Sequence, residues 1–165
     1  MRVLVLALSA LLLLPSAAAA RTIDVPEAFE ELLVQAREQT AVPILLPQKY
    51  TTDAATFFAS GSFARKRYTF SLSGAHGCGG ATACFIADFA AKRGAKPHYT
   101  RKVKLRGGRT GYFKPLTCGA SCSPPVLEWR RAGVLYWIQA TAGNKRQEKR
   151  RLVKMANSAL QHGPR

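Results

Sequence analysis

The residues best suited to chemistry in this sequence are cations that alternate with apolar residues on either side of Gly107-Gly108, a dipeptide typical of hairpin turns. If residues 105 and 111 pair across this hairpin, Val103 and Phe113 share the core face. The cations then point to the opposite face, where Tyr112 lies beside Lys104. An arginine of an earlier strand is expected to face the same way. The predicted anion-binding residues are Arg67, Lys102, Lys104, Arg106, Tyr112 and Lys114.

The charge balance of the chain supports an anionic partner. The sequence contains 25 Lys and Arg against nine Asp and Glu, a formal net charge of +16. After Gln39 the acids are only Asp53, Asp88, Glu128 and Glu148. Such a charge attracts polyanions through its long-range field, and like charges that face each other across strands cost stability unless anions offset them. An ordinary solvated polar face remains the alternative.

A catalytic interpretation rests on Ser73, His76 and Asp88, which have the residue types of a nucleophilic triad. The G-x-S-x-G elbow of hydrolases is absent. The glycine-rich stretch around His76 precedes a predicted strand and lacks the Lys-Ser/Thr of a phosphate-binding loop, so we interpret it as a tight turn. We predict no catalytic residue, no metal site and no cofactor. A small envelope hydrolase that uses His76 and Asp88 is one alternative.

Four cysteines come in two close pairs, Cys78 with Cys84 and Cys118 with Cys122. If segment 83–90 pairs with segment 99–105, Cys84 and Cys118 lie about 20 Å apart. A disulfide needs Cα atoms within about 7 Å, so the spacing predicts the two local disulfides 78–84 and 118–122. A zinc site would need the C-x2-C spacing that both pairs lack.

The elements that must position these residues form a predicted α+β fold. Apolar residues at helical spacing predict helices over 26–39 and 145–161, the second capped by Asn144. Alternating residues predict an antiparallel meander of six or seven strands, with one helix at each end packed on it. The predicted strands are 56–59, 67–72, 83–90, 99–105, 110–116, 126–130 and 134–141, with 44–46 as an edge strand or extended piece.

A second group of cations begins the predicted C-terminal helix. Its members are Lys145, Arg146, Lys149, Arg150, Arg151 and Lys154. Basic residues at a helix N-terminus oppose the macrodipole, so something other than helix stability favours them. Envelope anions and simple solubility are both possible reasons.

Residues 1–20 have the pattern of a secretory signal peptide. Arg2 precedes an apolar run over 3–14, Pro15 interrupts that run, and Ala18-Ala19-Ala20 offers a cleavage site. We expect 21–165 to be a single secreted or periplasmic domain with oxidised cysteines and no transmembrane segment. An uncleaved anchor helix is the alternative.

The last third of the chain contains a tryptophan strand, a Gly-x-x-Tyr strand and a closing helix with an Ala-x-Ser ending. The residues are Val126-Leu127-Glu128-Trp129, Gly133, Tyr136-Trp137-Ile138, Leu152 and Met155-Ala156-Asn157-Ser158-Ala159-Leu160. Residues 126–160 thereby resemble small exported bacterial domains of unknown function, similar to extracytoplasmic domains of some anti-sigma-factor-like and sporulation-related proteins. The resemblance implies an α+β fold and an envelope setting.

We therefore expect an exported, non-catalytic basic domain. Its expected partners are an anionic envelope polymer, lipid headgroups or an acidic protein. The export signal argues against nucleic acid as the partner. The alternatives are the hydrolase described above and a disulfide-stapled protein-interaction or inhibitor module.

Overall fold

A seven-stranded antiparallel sheet forms the centre of the computed structural model, which describes residues 20–78, 81–141 and 146–165. The α+β fold class with helices at both ends is therefore confirmed. The predicted leader, apart from Ala20, lies outside the described residues, as do Asn144 and Lys145. Within the described part of the chain, no helix combines the length and the apolar composition needed to cross a lipid bilayer.

The strands are β1 (Arg21–Asp24), β2 (Lys49–Thr52), β3 (Phe58–Ala64), β4 (Arg67–Ser73), β5 (Phe85–Arg93), β6 (Lys102–Lys104), β7 (Thr110–Lys114), β8 (Thr117–Cys118), β9 (Cys122–Ser123), β10 (Val126–Arg131) and β11 (Val134–Ala140). The helices are α1 (Val25–Ala28), α2 (Glu30–Gln39) and α3 (Glu148–His162), and a 3-10 turn spans Arg106–Gly108. Segment 44–46 is buried and is not a strand.

Two meanders build the large sheet, whose strand order is β3-β4-β5-β11-β10-β7-β6. The pairing of β5 with β11 joins them. The predicted pairing of 83–90 with 99–105 is wrong, because β5 is already paired with β4 and β11 on its two sides. The apolar β11 offers β5 a seven-residue ladder, whereas β6 has only three residues and pairs with β7.

The predicted register of the β6–β7 hairpin is wrong by two residues. Val103 pairs with Gly111, because the turn extends through Arg106–Gly108 and the Leu105 amide donates to the Arg109 carbonyl at 2.8 Å. A Cβ on Gly111 would lie 2.9 Å from the Val103 side chain, so glycine permits this close packing. A shift of two keeps every side chain on its predicted face.

The predicted N-terminal helix is interrupted at Phe29, whose backbone is not helical. Phe29 is 1% exposed, and its ring centre lies 5.0 Å from that of Phe70 and 6.1 Å from that of Phe89. Asp24 caps α1 by accepting from the Glu27 amide at 3.4 Å.

The sheet has a core face and a second face, which we call the outer face. On the core face, Tyr68, Phe70, Phe89 and Ile138 pack beneath α2 and α3 in one apolar cluster. The buried Tyr68 hydroxyl accepts from the Leu45 amide at 3.0 Å, which fixes segment 44–46 to the sheet. The outer face carries a group of cations that includes Arg67, Lys92 and Arg130.

The structure joins Cys78 to Cys84, with Cα atoms 6.0 Å apart, and Cys118 to Cys122, with Cα atoms 4.0 Å apart. These are the two local disulfides that the sequence predicted. The prediction, however, assumed that segment 83–90 pairs with segment 99–105, which the structure does not show. All four sulfurs are in disulfides, so they provide no thiolate ligands.

Candidate anion-binding site

A row of cations crosses four strands of the outer face. Arg67 on β4 pairs with Lys92 on β5, Lys92 pairs with Leu135 on β11, and Leu135 pairs with Arg130 on β10. Leu135 is buried, whereas the three cations are exposed. Directly paired residues of an antiparallel sheet share a face. The row therefore places three positive charges on one side of the sheet.

The neighbouring row contains the aromatic residues of this face. Thr69 pairs with Ala90, Ala90 with Trp137, and Trp137 with Glu128. Because the small side chain of Ala90 separates Thr69 from Trp137, a depression opens beside the indole. Tyr112 and Lys102 continue the row to the sheet edge.

The connection between β5 and β6 crosses the outer face and is held there by Glu128. This carboxylate is 4% exposed and accepts from the His98 amide at 2.7 Å, the Tyr99 amide at 3.4 Å and His98 Nδ1 at 2.8 Å. A carboxylate partner places the imidazole hydrogen on Nδ1 and leaves Nε2 free. The His98 side chain is 72% exposed, so its free nitrogen is accessible.

These features enclose a cavity of about 430 Å³ on the outer face, which we call the outer-face cavity. Leu135 and Trp137 form its apolar part. Its polar lining comes from Ser62, Arg67, Thr69, Lys92 and His98. The strands fix Arg67 and Lys92, and Glu128 fixes His98. Each lining group is thus held by backbone pairing or by a buried hydrogen bond.

In the part of the chain that the structure describes, no lysine or arginine lies within 4.0 Å of a carboxylate. Across residues 20–78, 81–141 and 146–165, the single ion-pair contact within 4.0 Å joins His98 to Glu128. Where arginine or lysine side chains donate hydrogen bonds, the acceptors are carbonyl, amide or hydroxyl oxygens. The charges of the outer face are therefore not neutralised within the described protein.

The structure divides the predicted anion-binding residues into separate groups. Lys102, Lys104, Tyr112 and Lys114 lie together on β6 and β7, with Tyr112 beside Lys102 rather than Lys104 because of the register shift. Arg67 lies four strand spacings from β7, about 19 Å away. The Lys114 amine donates to the Ser123 hydroxyl at 2.7 Å.

Arg106 was expected to share the outer face with Lys102 and Lys104 through the alternation of the hairpin, but it lies outside strand β6. It lies in the 3-10 turn, and its backbone amide donates to Asn157 Oδ1 on α3 at 2.7 Å. This bond ties the turn to the helix. Arg106 is therefore separated from the strand pattern that predicted its face.

Sequence reasoning missed Lys92, His98, Arg130 and Trp137 as members of one site. Alternation along β5 and β10 could have placed Lys92 and Arg130 on the outer face. Their grouping with Arg67 required the strand order, which local patterns do not supply. The contact between His98 and Glu128 has no local signal at all.

The candidate triad is not connected by hydrogen bonds in the described residues. The Ser73 hydroxyl donates to the Ala75 carbonyl at 2.9 Å, and the His76 ring centre lies 3.7 Å from that of Phe58. Asp88 lies on the outer face opposite Ser71. Burial raises the pKa of the Asp88 carboxyl, and the Ser71 hydroxyl acts in the opposite direction.

A second basic region lies between α3 and the β1–β2 hairpin. It is a groove of about 600 Å³, which we call the α3 groove. Arg150, Arg151 and Lys154 from the predicted helix cluster line it together with Lys49. Its remaining polar side chains are the Gln48 carboxamide and several hydroxyls, including that of Ser158, which accepts from the Gln48 backbone amide at 3.0 Å.

The two disulfide loops contribute residues to a third cavity, of about 470 Å³. Thr82 and Ala83 from the 78–84 loop line it together with residues 119–122 from the other loop. The two stapled loops therefore lie side by side at one end of the sheet.

No known family, curated protein or solved structure matches this chain. The resemblance of residues 126–160 to exported bacterial domains stays a prediction.

Proposed function

We propose that this chain is an exported, non-catalytic domain that binds an anionic polymer of the cell envelope through the outer face of its sheet. The observation that carries the proposal is the lack of any carboxylate within 4.0 Å of a lysine or arginine in the described residues. Folded proteins ordinarily intersperse charges of both signs on their surfaces. Here an external anion would provide the missing counter-charge.

The spacing of the cations fits a ligand with repeated charges. Successive strands lie about 4.8 Å apart, so the row from Arg67 to Arg130 extends over about 14 Å. Lys102 lies farther along the same face, at the sheet edge. A polymer laid across the strands can contact several of these cations at once, and each contact releases counterions.

Export is supported by the predicted leader and is compatible with the two disulfides. An envelope location would expose the outer face to acidic polysaccharides and lipid headgroups. The non-catalytic assignment is supported by the separate contacts of these two residues, because the Ser73 hydroxyl donates to the Ala75 carbonyl and the His76 ring packs against Phe58.

Binding to an acidic polysaccharide and to anionic vesicles at two salt concentrations tests this proposal. The protein is residues 21–165, which contain every described helix and strand. We expect affinity to fall on the order of tenfold or more from about 50 to about 300 mM NaCl. We also expect Arg67→Ala/Lys92→Ala to weaken binding about tenfold.

The matched control is Arg37→Ala/Lys149→Ala, which removes the same charge from exposed positions on α2 and α3. Its affinity should stay within about twofold of the wild-type value. An affinity that does not change with salt concentration would contradict an outer-face site. An affinity that falls equally in both double variants would contradict it as well.

A protein-interaction module is the second candidate function, because both disulfide loops line one cavity. Under this alternative, reduction of the disulfides would abolish partner binding and leave polymer binding intact. Polymer binding that is lost on reduction would instead place the anion site at the stapled loops.

A further inference from the structure

We infer that the outer-face cavity binds one sugar unit that carries a carboxylate, with the sugar ring on Trp137 and the carboxylate at Arg67 and Lys92. This inference rests on the proposed function and names the chemistry of the polymer. Three features of the cavity support it: an apolar surface, a pair of cations and a set of hydroxyl and imidazole groups.

The apolar surface is the feature that charge alone does not explain. Trp137 lies on the outer face and is only partly buried, beside the buried Leu135. A ligand that consisted of charges alone would gain nothing from this surface. A flat ligand face with C–H groups would be removed from water by the indole.

The cation pair provides a site for one anionic group. Arg67 and Lys92 are direct cross-strand partners, so their Cβ atoms lie about 5 Å apart. A carboxylate has two oxygens, and a guanidinium presents two parallel N–H groups that match them. One carboxylate can therefore contact both cations.

The distance between these two features limits the ligand. The Arg67–Lys92 row and the Thr69–Trp137 row lie two residues apart along the strands, about 7 Å. In a uronic acid the carboxylate is attached directly to the ring, which gives a compact ligand.

The remaining lining groups are suited to sugar hydroxyls. Ser62 and Thr69 offer hydroxyls that donate and accept, and His98 offers a free Nε2. Because Glu128 holds the His98 segment through three hydrogen bonds, this side of the cavity is formed before the ligand arrives. Preorganised groups lose little entropy on binding.

The test compares four ligands on residues 21–165. Oligogalacturonate has the ring and the charge, and its methyl ester has the ring alone. Inorganic polyphosphate has charge without a sugar ring, and single-stranded DNA has charge with flat bases. Affinities are measured by calorimetry for the wild type and for Trp137→Ala, Trp137→Phe and Arg67→Ala/Lys92→Ala.

We expect oligogalacturonate to bind more tightly than its methyl ester by about tenfold or more. Trp137→Ala should weaken oligogalacturonate binding about tenfold and leave polyphosphate binding unchanged, and Trp137→Phe should restore part of the loss. The variant Arg67→Ala/Lys92→Ala should weaken the binding of oligogalacturonate and of polyphosphate.

Several outcomes would overturn the inference. The methyl ester could bind as tightly as the acid, Trp137→Ala could affect polyphosphate as much as oligogalacturonate, or DNA could bind most tightly with the same dependence on Trp137. If all anions bind alike and lose affinity with salt, the proposed function stands and the sugar site is wrong. If no anion binds, both are wrong.

Discussion

The outer-face cavity and the α3 groove are both basic, but they are built differently. In the cavity, Arg67 and Lys92 project from paired strands beside an exposed edge of Trp137. In the groove, the cations project mainly from successive turns of α3, and the aromatic neighbour, Tyr50, is 3% exposed. The Tyr50 hydroxyl already donates a hydrogen bond to the Thr141 carbonyl, at 2.7 Å.

This difference shows why charge alone does not define a site. Both regions attract polyanions at long range. Of the two regions, the outer-face cavity combines charge with a partly exposed aromatic surface and with a side held by the hydrogen bonds of Glu128. We therefore expect the cavity to contribute short-range, ligand-specific contacts and the groove to contribute a diffuse field.

Charge reversal in each region should give the largest contrast. Arg67→Glu/Lys92→Glu should lower the affinity for oligogalacturonate about a hundredfold, because it replaces two contacts by two repulsions. Arg150→Glu/Lys154→Glu changes the net charge equally and should lower the affinity less than about fivefold. Calorimetry at low salt measures both. Equal losses would mean that affinity follows net charge, and the distinction between the two regions would fail.

Removing a buried carboxylate near each region should give a smaller contrast. Glu128→Gln weakens the acceptor of three hydrogen bonds, so we expect a stability loss of about 1–3 kcal/mol. The amides of His98 and Tyr99 should exchange hydrogen faster, and binding at the cavity should weaken.

The matched control is Glu148→Gln on α3, because Glu148 is equally buried and accepts from the Leu116 amide at 3.2 Å. It should also lower stability in urea unfolding but leave the exchange of the His98 amide unchanged. Identical exchange at His98 in both variants would show that Glu128 does not hold this segment.

The smallest expected effect concerns Asp88 on the outer face. Burial raises the pKa of its carboxyl, so the folded state binds the proton more tightly than the unfolded state. The resulting stability is present below the unfolded pKa and is lost as pH rises through the folded pKa. Asp88→Asn should therefore increase stability at about pH 7, by about 1 kcal/mol or less, and should not do so at about pH 3.

Urea unfolding at both pH values measures this effect, and Asp53→Asn at an exposed position is the control. Because the Asn variant also removes a negative charge from the outer face, oligogalacturonate should bind slightly more tightly at neutral pH. A stability gain that persists at acid pH would assign the effect to packing instead of charge.

The sequence predicted what depends on local spacing. Helical periodicity located the N- and C-terminal helices, and alternation gave the correct faces of Lys102, Lys104 and Tyr112 even though the register was wrong. Faces survive a shift of two residues because side chains in a strand alternate with a period of two.

The site itself depends on contacts between distant segments. Arg67, Lys92 and Arg130 share a row only because β11 lies between β5 and β10. Segments 83–90 and 99–105 were expected to pair, yet the connection between β5 and β6 crosses the sheet and is held by Glu128, 30 residues after His98. Periodicity within a segment carries no information about such partners.

Strand β11, the last strand in the described residues, lies between β5 and β10 and joins the two meanders into one sheet. Until residues 134–140 are present, the two meanders end in unpaired strand edges on β5 and β10, and unpaired edges invite aggregation. The main sheet therefore cannot be completed before residues 134–140 have been synthesised. Until then, β5 and β10 each present a strand edge that can pair with another chain.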